Sequence, residues 1–253
     1  MLLFEGGLVF KGEDGQPVTG RINQADIDPT IDWLEAITGL PHKDMKLGST
    51  GIKSSSGDMD IAVDKDKVSK DDLVAKLTAW VQKNHPDDDP KNWIRKSGIN
   101  VHFKTPIQGT DMKGFVQTDF MFGEPEFMKF AMKGFGDDVK YKGKHRAILI
   151  SSIAKFHGYK FNSQTGLVDR ITNKSISKNP DEIAKYLLGD NAKGTDLDSV
   201  DTIVAKIKGD PNYALMVADA KEWFEKDGLE MPEGVQYEGR DWFRHTLDKL
   251  NEI

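Results

Sequence analysis

Apolar positions along the chain keep two periods. Ile31, Leu34 and Ile37 recur at helical spacing behind Asp28-Pro29, an N-cap followed by an N1 proline, and the run stops at Gly39 before Pro41. Leu73, Leu77, Trp80 and Val81 form a second such face after Ser69, ended by the Asn84-His85-Pro86 breaker. Elsewhere the period drops to two, which predicts strands over 59–63, 99–103 and 115–122. Residues 1–20 read as a β-hairpin, with Leu8, Val9 and Phe10 leading into Glu13-Asp14-Gly15-Gln16 and Val18 starting the return. Helix, strand, helix, strand, strand argues an α/β (α+β) fold, a mixed sheet with helices against it. From about 145 the pattern predicts helices only, over 146–157, 180–188, 199–208, 211–226 and 239–250. The expected organisation is a sheet-bearing part over 1–145 and an α-rich part over 146–253.

Composition narrows what this scaffold can do. The chain has 253 residues, of which 38% are hydrophobic and 30% charged, the balance of an ordinary globular protein. No window reaches 18 apolar residues and the start lacks a signal-peptide pattern, so the expectation is a cytoplasmic protein without a membrane partner. With no cysteine there is no thiol nucleophile, disulfide, zinc ribbon or iron–sulfur cluster. The net charge of -6 excludes a general polyanion binder, and any nucleic-acid contact must be local. The richest basic stretch is Lys140, Lys142, Lys144, His145 and Arg146, which reads either as a phosphate-contacting rim or as a solvated turn. Six histidines show no His-Glu-x-x-His spacing, no Gly-x-Ser-x-Gly elbow occurs, and Gly51-Ile52-Lys53-Ser54 lacks the first glycine of a P-loop. The run Phe127, Met128, Phe130, Met132, Phe135 reads as core packing, with base stacking as the other option. The pattern sets no oligomeric state.

The chemistry concentrates in residues 47–63. On a strand, Asp58 and Asp60 share one face while Met59, Ile61 and Val63 take the other. Two adjacent carboxylates repel, and a divalent cation between them removes that cost. Ahead of them Gly48, Gly51 and Gly57, interspersed with serines and a threonine, allow backbone N–H groups to approach a phosphate without obstruction. An Asp-x-Asp or a Gly/Ser loop alone is usually structural, but their combination before an apolar strand is a compound pattern.

Leu47-Gly48-Ser49 and the run Ser55-Ser56-Gly57-Asp58-Met59-Asp60 resemble the signature of the nucleotidyltransferase superfamily, and more narrowly that of family X, DNA polymerase β-like enzymes. The resemblance implies a palm-like mixed sheet followed by a helical subdomain, and a third carboxylate on a neighbouring strand. Asp119, alone among Val116, Phe120, Met121 and Phe122, fills that place, since a lone buried acid is costly unless paired or metal-bound. It further implies two Mg²⁺ ions, with Mn²⁺ as a substitute. Asp58, Asp60 and Asp119 would hold the one that activates the acceptor hydroxyl, and Asp58 and Asp60 the one that neutralises the leaving pyrophosphate. Gly48, Ser49, Lys53, Ser56 and Gly57 would bind the nucleoside triphosphate; the family's phosphate-binding arginine is absent from this loop and Lys53 stands in as a point charge. A looser echo runs through His145–Ile150, Gly158–Asn162, Gly166-Leu167, Asp181-Glu182-Ile183 and Leu187-Leu188-Gly189. The implied activity is transfer of a nucleoside monophosphate from an NTP or dNTP onto a hydroxyl, first of all a DNA or RNA 3′ end, with Lys140, Lys142, Lys144 and Arg146 as candidate acceptor contacts. Transfer to a protein, tRNA or small molecule, and a non-catalytic nucleotide-binding or nucleic-acid-binding module, stay open as alternatives.

Overall fold

The computed structural model describes residues 9–235, in two compact units, one ending at Val139 and the other beginning at Lys140. Among the described residues there are seven α-helices and a mixed four-stranded sheet, so the chain is a mixed α/β protein. Leu8 and the helix expected over 239–250 lie outside the described residues.

In the first unit, helix α1 spans Gln24–Thr38 and α2 spans Lys70–Asn84. The second begins and ends as the pattern predicts, with the Ser69 hydroxyl accepting from the Asp72 N–H at 3.1 Å. The first differs at its start: Asn23 is the N-cap, and Pro29 lies inside the helix. The extra turn is held by tertiary contacts that no local signal announces, for the Gln24 N–H donates to the Ser54 carbonyl at 2.9 Å and Ile27 is buried. Pro29, inside the helix, forfeits the one hydrogen bond that its missing N–H would have made. The helix ends at Gly39, which takes the left-handed conformation at φ 66 and donates its N–H to Glu35.

Strands β1 (Ile22–Asn23) and β2 (Ser55–Ser56) form a small antiparallel pair. The main sheet holds β3 (Asp58–Asp64), β4 (Ile94–Ser97), β5 (Asn100–Pro106) and β6 (Phe115–Gly123), in the order β3-β6-β5-β4. β3 runs parallel to β6 and the other pairs are antiparallel. The alternation at 59–63, 99–103 and 115–122 thus marks three real strands. The fourth, Ile-Arg-Lys-Ser, escapes it because only Ile94 is buried. Residues 1–8 of the expected hairpin lie outside the described residues; among those described, a bridge from Lys11 to Pro17 closes a turn in which the Gly12 N–H donates to Gln16.

Both long helices belong to one face. Ile31, Leu34, Leu73, Leu77 and Val81 bury against Met59, Ile61, Val63, Val101, Phe103 and Phe120, and burying each such side chain is worth about 1.5–3 kcal/mol. On the other face, α3 (Pro125–Ala131) covers one end of the sheet, where Met128 packs on Leu47 and Ala62. The aromatic and methionine run is therefore packing, with Phe127 and Met128 buried. Beyond α3 that face carries Asp58, Asp60, Gln117, Asp119 and His102.

The second unit carries α4 (Gly143–Phe156), α5 (Pro180–Leu188), α6 (Val200–Ile207) and α7 (Tyr213–Lys226). It also holds an antiparallel sheet of β7 (Tyr159–Asn162), β8 (Gly166–Asp169) and β9 (Ser175–Ser177), so the expectation of helices only is corrected. Strands of three or four residues are too short for a period-two signal. Their turns are set by Gly166, at φ 72 and against the Ser177 carbonyl, and by the Asp169 carboxylate, which accepts from the Ile171 and Thr172 N–H groups. No helix among the described residues is long and apolar enough to cross a membrane.

Candidate active site

β3 is an edge strand, and its open edge is closed by the loop that precedes it. The Leu47 N–H donates to the Asp60 carbonyl at 2.9 Å, and the buried Thr50 hydroxyl accepts from the Asp60 N–H at 3.0 Å. Both backbone groups of Asp60 are thereby spent on the loop, which fixes where its side chain begins. Gly48 takes φ 58, the left-handed region that favours glycine, and a Cβ there would stand 3.4 Å from Asp60 Oδ2, in ordinary contact with that carboxylate. The loop is clamped from its other side by Gly134, where a Cβ would come within 1.7 Å of the Gly48 carbonyl oxygen. The Ser49 hydroxyl donates to the Phe135 carbonyl at 3.4 Å. Of the expected nucleotide-binding set, Gly48, Ser49, Ser56 and Gly57 line this turn and strand start, and the Lys53 charge acts on Asp58. Ser56 Oγ is buried and has no hydrogen-bond partner, an unmet group that a ligand oxygen would satisfy.

Parallel register sets Asp60 directly beside Asp119, with Asp58 beside Gln117. Each of the three aspartates offers a carboxylate oxygen within 4.8 Å of the others, so the residues singled out from the sequence come together. The electrostatic consequence is large. Burial and then the charge of Asp119 push Asp58 up to about 6, against which Arg21 and Lys53 act more weakly. Burial and the two neighbouring carboxylates hold Asp60 well above the usual carboxylate range. A divalent cation among these oxygens would cancel the repulsion and take oxygen ligands of the kind Mg²⁺ and Mn²⁺ prefer.

Several further residues that the sequence reading did not single out shape the site. His102 on β5 is paired in register with Asp119, and its Nδ1 donates to Asp119 Oδ1 at 2.7 Å. Gln117 Nε2 donates to the same oxygen at 2.8 Å. Gln117 lies two residues from Asp119, so strand periodicity could have flagged it; His102 required the cross-strand register. Arg21, far upstream, donates from Nη2 to the Ser55 carbonyl at 2.9 Å and to Ser55 Oγ at 3.0 Å, which brings an arginine to the loop that lacks its own.

The basic stretch belongs to the second unit. Lys140 pairs with Glu233 at 2.9 Å and Lys144 with Asp227 at 3.2 Å, while Lys142 is exposed at the N-cap of α4. Arg146, expected on an acceptor rim, is instead 1% exposed and donates from Nε to the Leu197 carbonyl at 2.6 Å. Alternate residues would form one strip only in an extended chain; from Gly143 onward the chain is helical and turns about 200° between residues two apart.

Two predictions follow from this geometry. A carboxyl whose folded pKa lies above its unfolded value favours the folded state below about pH 4 and loses that contribution as the pH climbs through about 6. His42, lowered to about 4 by burial, and His145 and His157, also lowered, act oppositely, costing stability as the pH falls below 6.5. The difference in melting temperature with and without Mn²⁺ removes the histidines. That difference is expected to be small at pH 5 and to grow by pH 7.5, where a hundredfold excess over the dissociation constant adds about 2.7 kcal/mol. A gain independent of pH would contradict the assignment. Gly134→Ala should cost about 1–3 kcal/mol by overpacking and weaken Mn²⁺ binding by displacing Gly48; thermal melts and a metal titration check both, and unaltered metal affinity would show that the clamp does not set the site.

No protein-family model and no curated protein matches this chain, and the reading of the site stands on its own residues.

Proposed function

We propose that the chain is a divalent-metal-dependent nucleotidyltransferase of the polymerase β-like type, moving a nucleoside monophosphate from a nucleoside triphosphate onto a hydroxyl. The observation that carries this reading is the meeting of Asp58, Asp60 and Asp119 within 4.8 Å, on adjacent parallel strands and behind a Gly/Ser turn. The donor set fits Mg²⁺ or Mn²⁺, being all carboxylate oxygen, and the Gly48 backbone, with no side chain beside Asp60, and the unmet Ser56 hydroxyl suit a phosphate.

Bound there, two such ions would supply charge neutralisation and activation of the acceptor hydroxyl. Asp58 and Asp60 would be ligands to both, and Asp119 to the acceptor-side ion. The protein's own share is positioning. The Ser55–Gly57 backbone, the Ser56 hydroxyl and the Lys53 and Arg21 charges would hold the triphosphate, with Arg21 offering the planar fork that Lys53 lacks. Strand register fixes the carboxylates before substrate arrives, so little reorganisation is needed at the moment of transfer.

A panel of labelled NTPs and dNTPs offered with single-stranded DNA, RNA, tRNA or no acceptor tests the activity and identifies the acceptor, a nucleic-acid 3′ end being the expected one. Asp58→Asn and Asp60→Asn should each abolish incorporation, by several orders of magnitude, while the protein melts no lower than the wild type without metal, because a like-charge repulsion is relieved. Full turnover in either variant at saturating Mg²⁺ would end the metal assignment. Asp119→Ala should separate binding from chemistry. Calorimetry with a methylene-bridged triphosphate and Mg²⁺ is expected to give near-wild-type affinity, with transfer lost; a drop in affinity as large as that of Asp58→Asn would refute the division of roles.

A further inference from the structure

Asp119 is treated differently from its two partners. Among the described residues, both hydrogen bonds to its carboxylate fall on Oδ1, one from His102 Nδ1 at 2.7 Å and one from Gln117 Nε2 at 2.8 Å. Each donor is itself anchored at its far end. His102 Nε2 lies 2.6 Å from the hydroxyl of Ser97, on the β4–β5 hairpin, and Gln117 Oε1 accepts from the Val9 N–H at 3.0 Å. His102 is 5% exposed and Gln117 1%, so neither donor is traded for water. A carboxylate oxygen can only accept, which places the ring hydrogen on Nδ1 and fixes which way the imidazole faces. The result is a braced acid: Oδ1 is consumed by two donors from two strands, and Oδ2 is the oxygen left for a cation.

We propose that His102 is a positioning residue that, together with Gln117 and through its own anchor on Ser97, holds Asp119 as a one-oxygen ligand for a single cation of the carboxylate cluster. This rests on reading the three aspartates as a metal site. The physical case is that three acids on one half-buried patch repel, and a carboxylate free to rotate would turn away from the other two when the site is empty. A donor pair on one oxygen opposes that rotation, so the ligand stays in place between binding events. Outer donors of this kind, when removed from metal-bound ligands, typically cost a factor of about 10–100 in affinity.

The same three side chains also have the connectivity of a serine nucleophile with its base, and the test separates the two roles. Mn²⁺ is titrated into the full chain, with a methylene-bridged nucleoside triphosphate present, and followed by electron paramagnetic resonance; the Asp119-dependent site is defined as the one lost in Asp119→Ala. His102→Ala is expected to weaken that site by about 10–100-fold and to leave the other within about twofold. His102→Asn, whose Nδ2 can donate from the place of Nδ1, is expected to restore it to within about threefold of the wild type. Ser97→Ala, on an exposed hairpin, should fall between wild type and His102→Ala, and it carries the test if His102→Ala does not fold. Wild-type affinity in His102→Ala, or in Ser97→Ala where that variant carries the test, overturns the proposal. So does failure of a folded His102→Asn to rescue, since the ring's volume rather than its hydrogen would then be what Asp119 needs. Labelling of Ser97 by an organofluorophosphonate would also overturn it, by making Ser97 a nucleophile. If the wild type itself shows no Asp119-dependent Mn²⁺ site, the metal reading fails and this inference with it; if that site is present and His102→Ala retains it, only this inference falls.

Discussion

Three carboxylates on neighbouring positions of one sheet face are the constraint around which the first unit is organised. Two unit charges 4 Å apart repel by about 4 kcal/mol at an effective dielectric of 20, and here three groups share one half-buried patch. The fold tolerates the arrangement because the opposite face of the same strands is its most heavily buried region. Met59, Ile61 and Phe120, alternating with the aspartates, are wholly buried against α1 and α2. The period of two that sends the acids to one side sends the core to the other, so a one-residue slip of β3 against β6 would lose both.

Everything near the acids limits their freedom. Asp60 is held through its backbone by Leu47 and Thr50, and Asp119 through its side chain by His102 and Gln117. The loop that covers the edge of β3 is in turn pinned by a glycine, Gly134, arriving from beyond α3. The backbone around Asp58 differs: β2 ends two residues earlier, at Ser56, and the fixed cations acting on Asp58 are Arg21 and Lys53. Positive charge is thus offered on the side of the Ser55–Gly57 turn, where a polyanionic ligand would lie, and hydrogen-bond donors on the side of Asp119.

What the sequence made legible is what depends on short periods. The alternation in 58–63 and 115–122 placed the three aspartates on strands, and the caps at Ser69 and Gly39 marked helix ends correctly. What escaped it depends on which strand lies beside which. His102 stands in an ordinary alternating segment, and only the pairing of β5 with β6 gives it a partner. Arg21 reaches Ser55 across 34 residues of chain, and α1 begins early because Ser54, distant in sequence, takes its first N–H. The basic stretch shows the converse error. Lys140 and Lys142 precede the helix that begins at Gly143, only Lys144 and Arg146 lie on it, and burial of Arg146 turns that expected acceptor contact into a packing element.

The unequal treatment of the three acids suits a reaction with an unequal task at each end. A ligand shared by two cations must accommodate both, and Asp58 and Asp60 are not braced at the carboxylate by other side chains among the described residues. In the proposed reaction a ligand serving one cation would gain from being fixed, because its orientation would set where the acceptor oxygen stands relative to the phosphorus, and misplacement by about 1 Å is enough to cost a factor of 10² in rate. Bracing Asp119 through a buried imidazole also keeps its surroundings poor in water. In a site whose neighbouring acids are already pushed up by desolvation, that raises the cost of leaving it empty and so raises the advantage of filling it with charge. If the proposed transfer takes place here, the asymmetry of hydrogen bonding around Asp119 would be the structural counterpart of the asymmetry between nucleophile and leaving group.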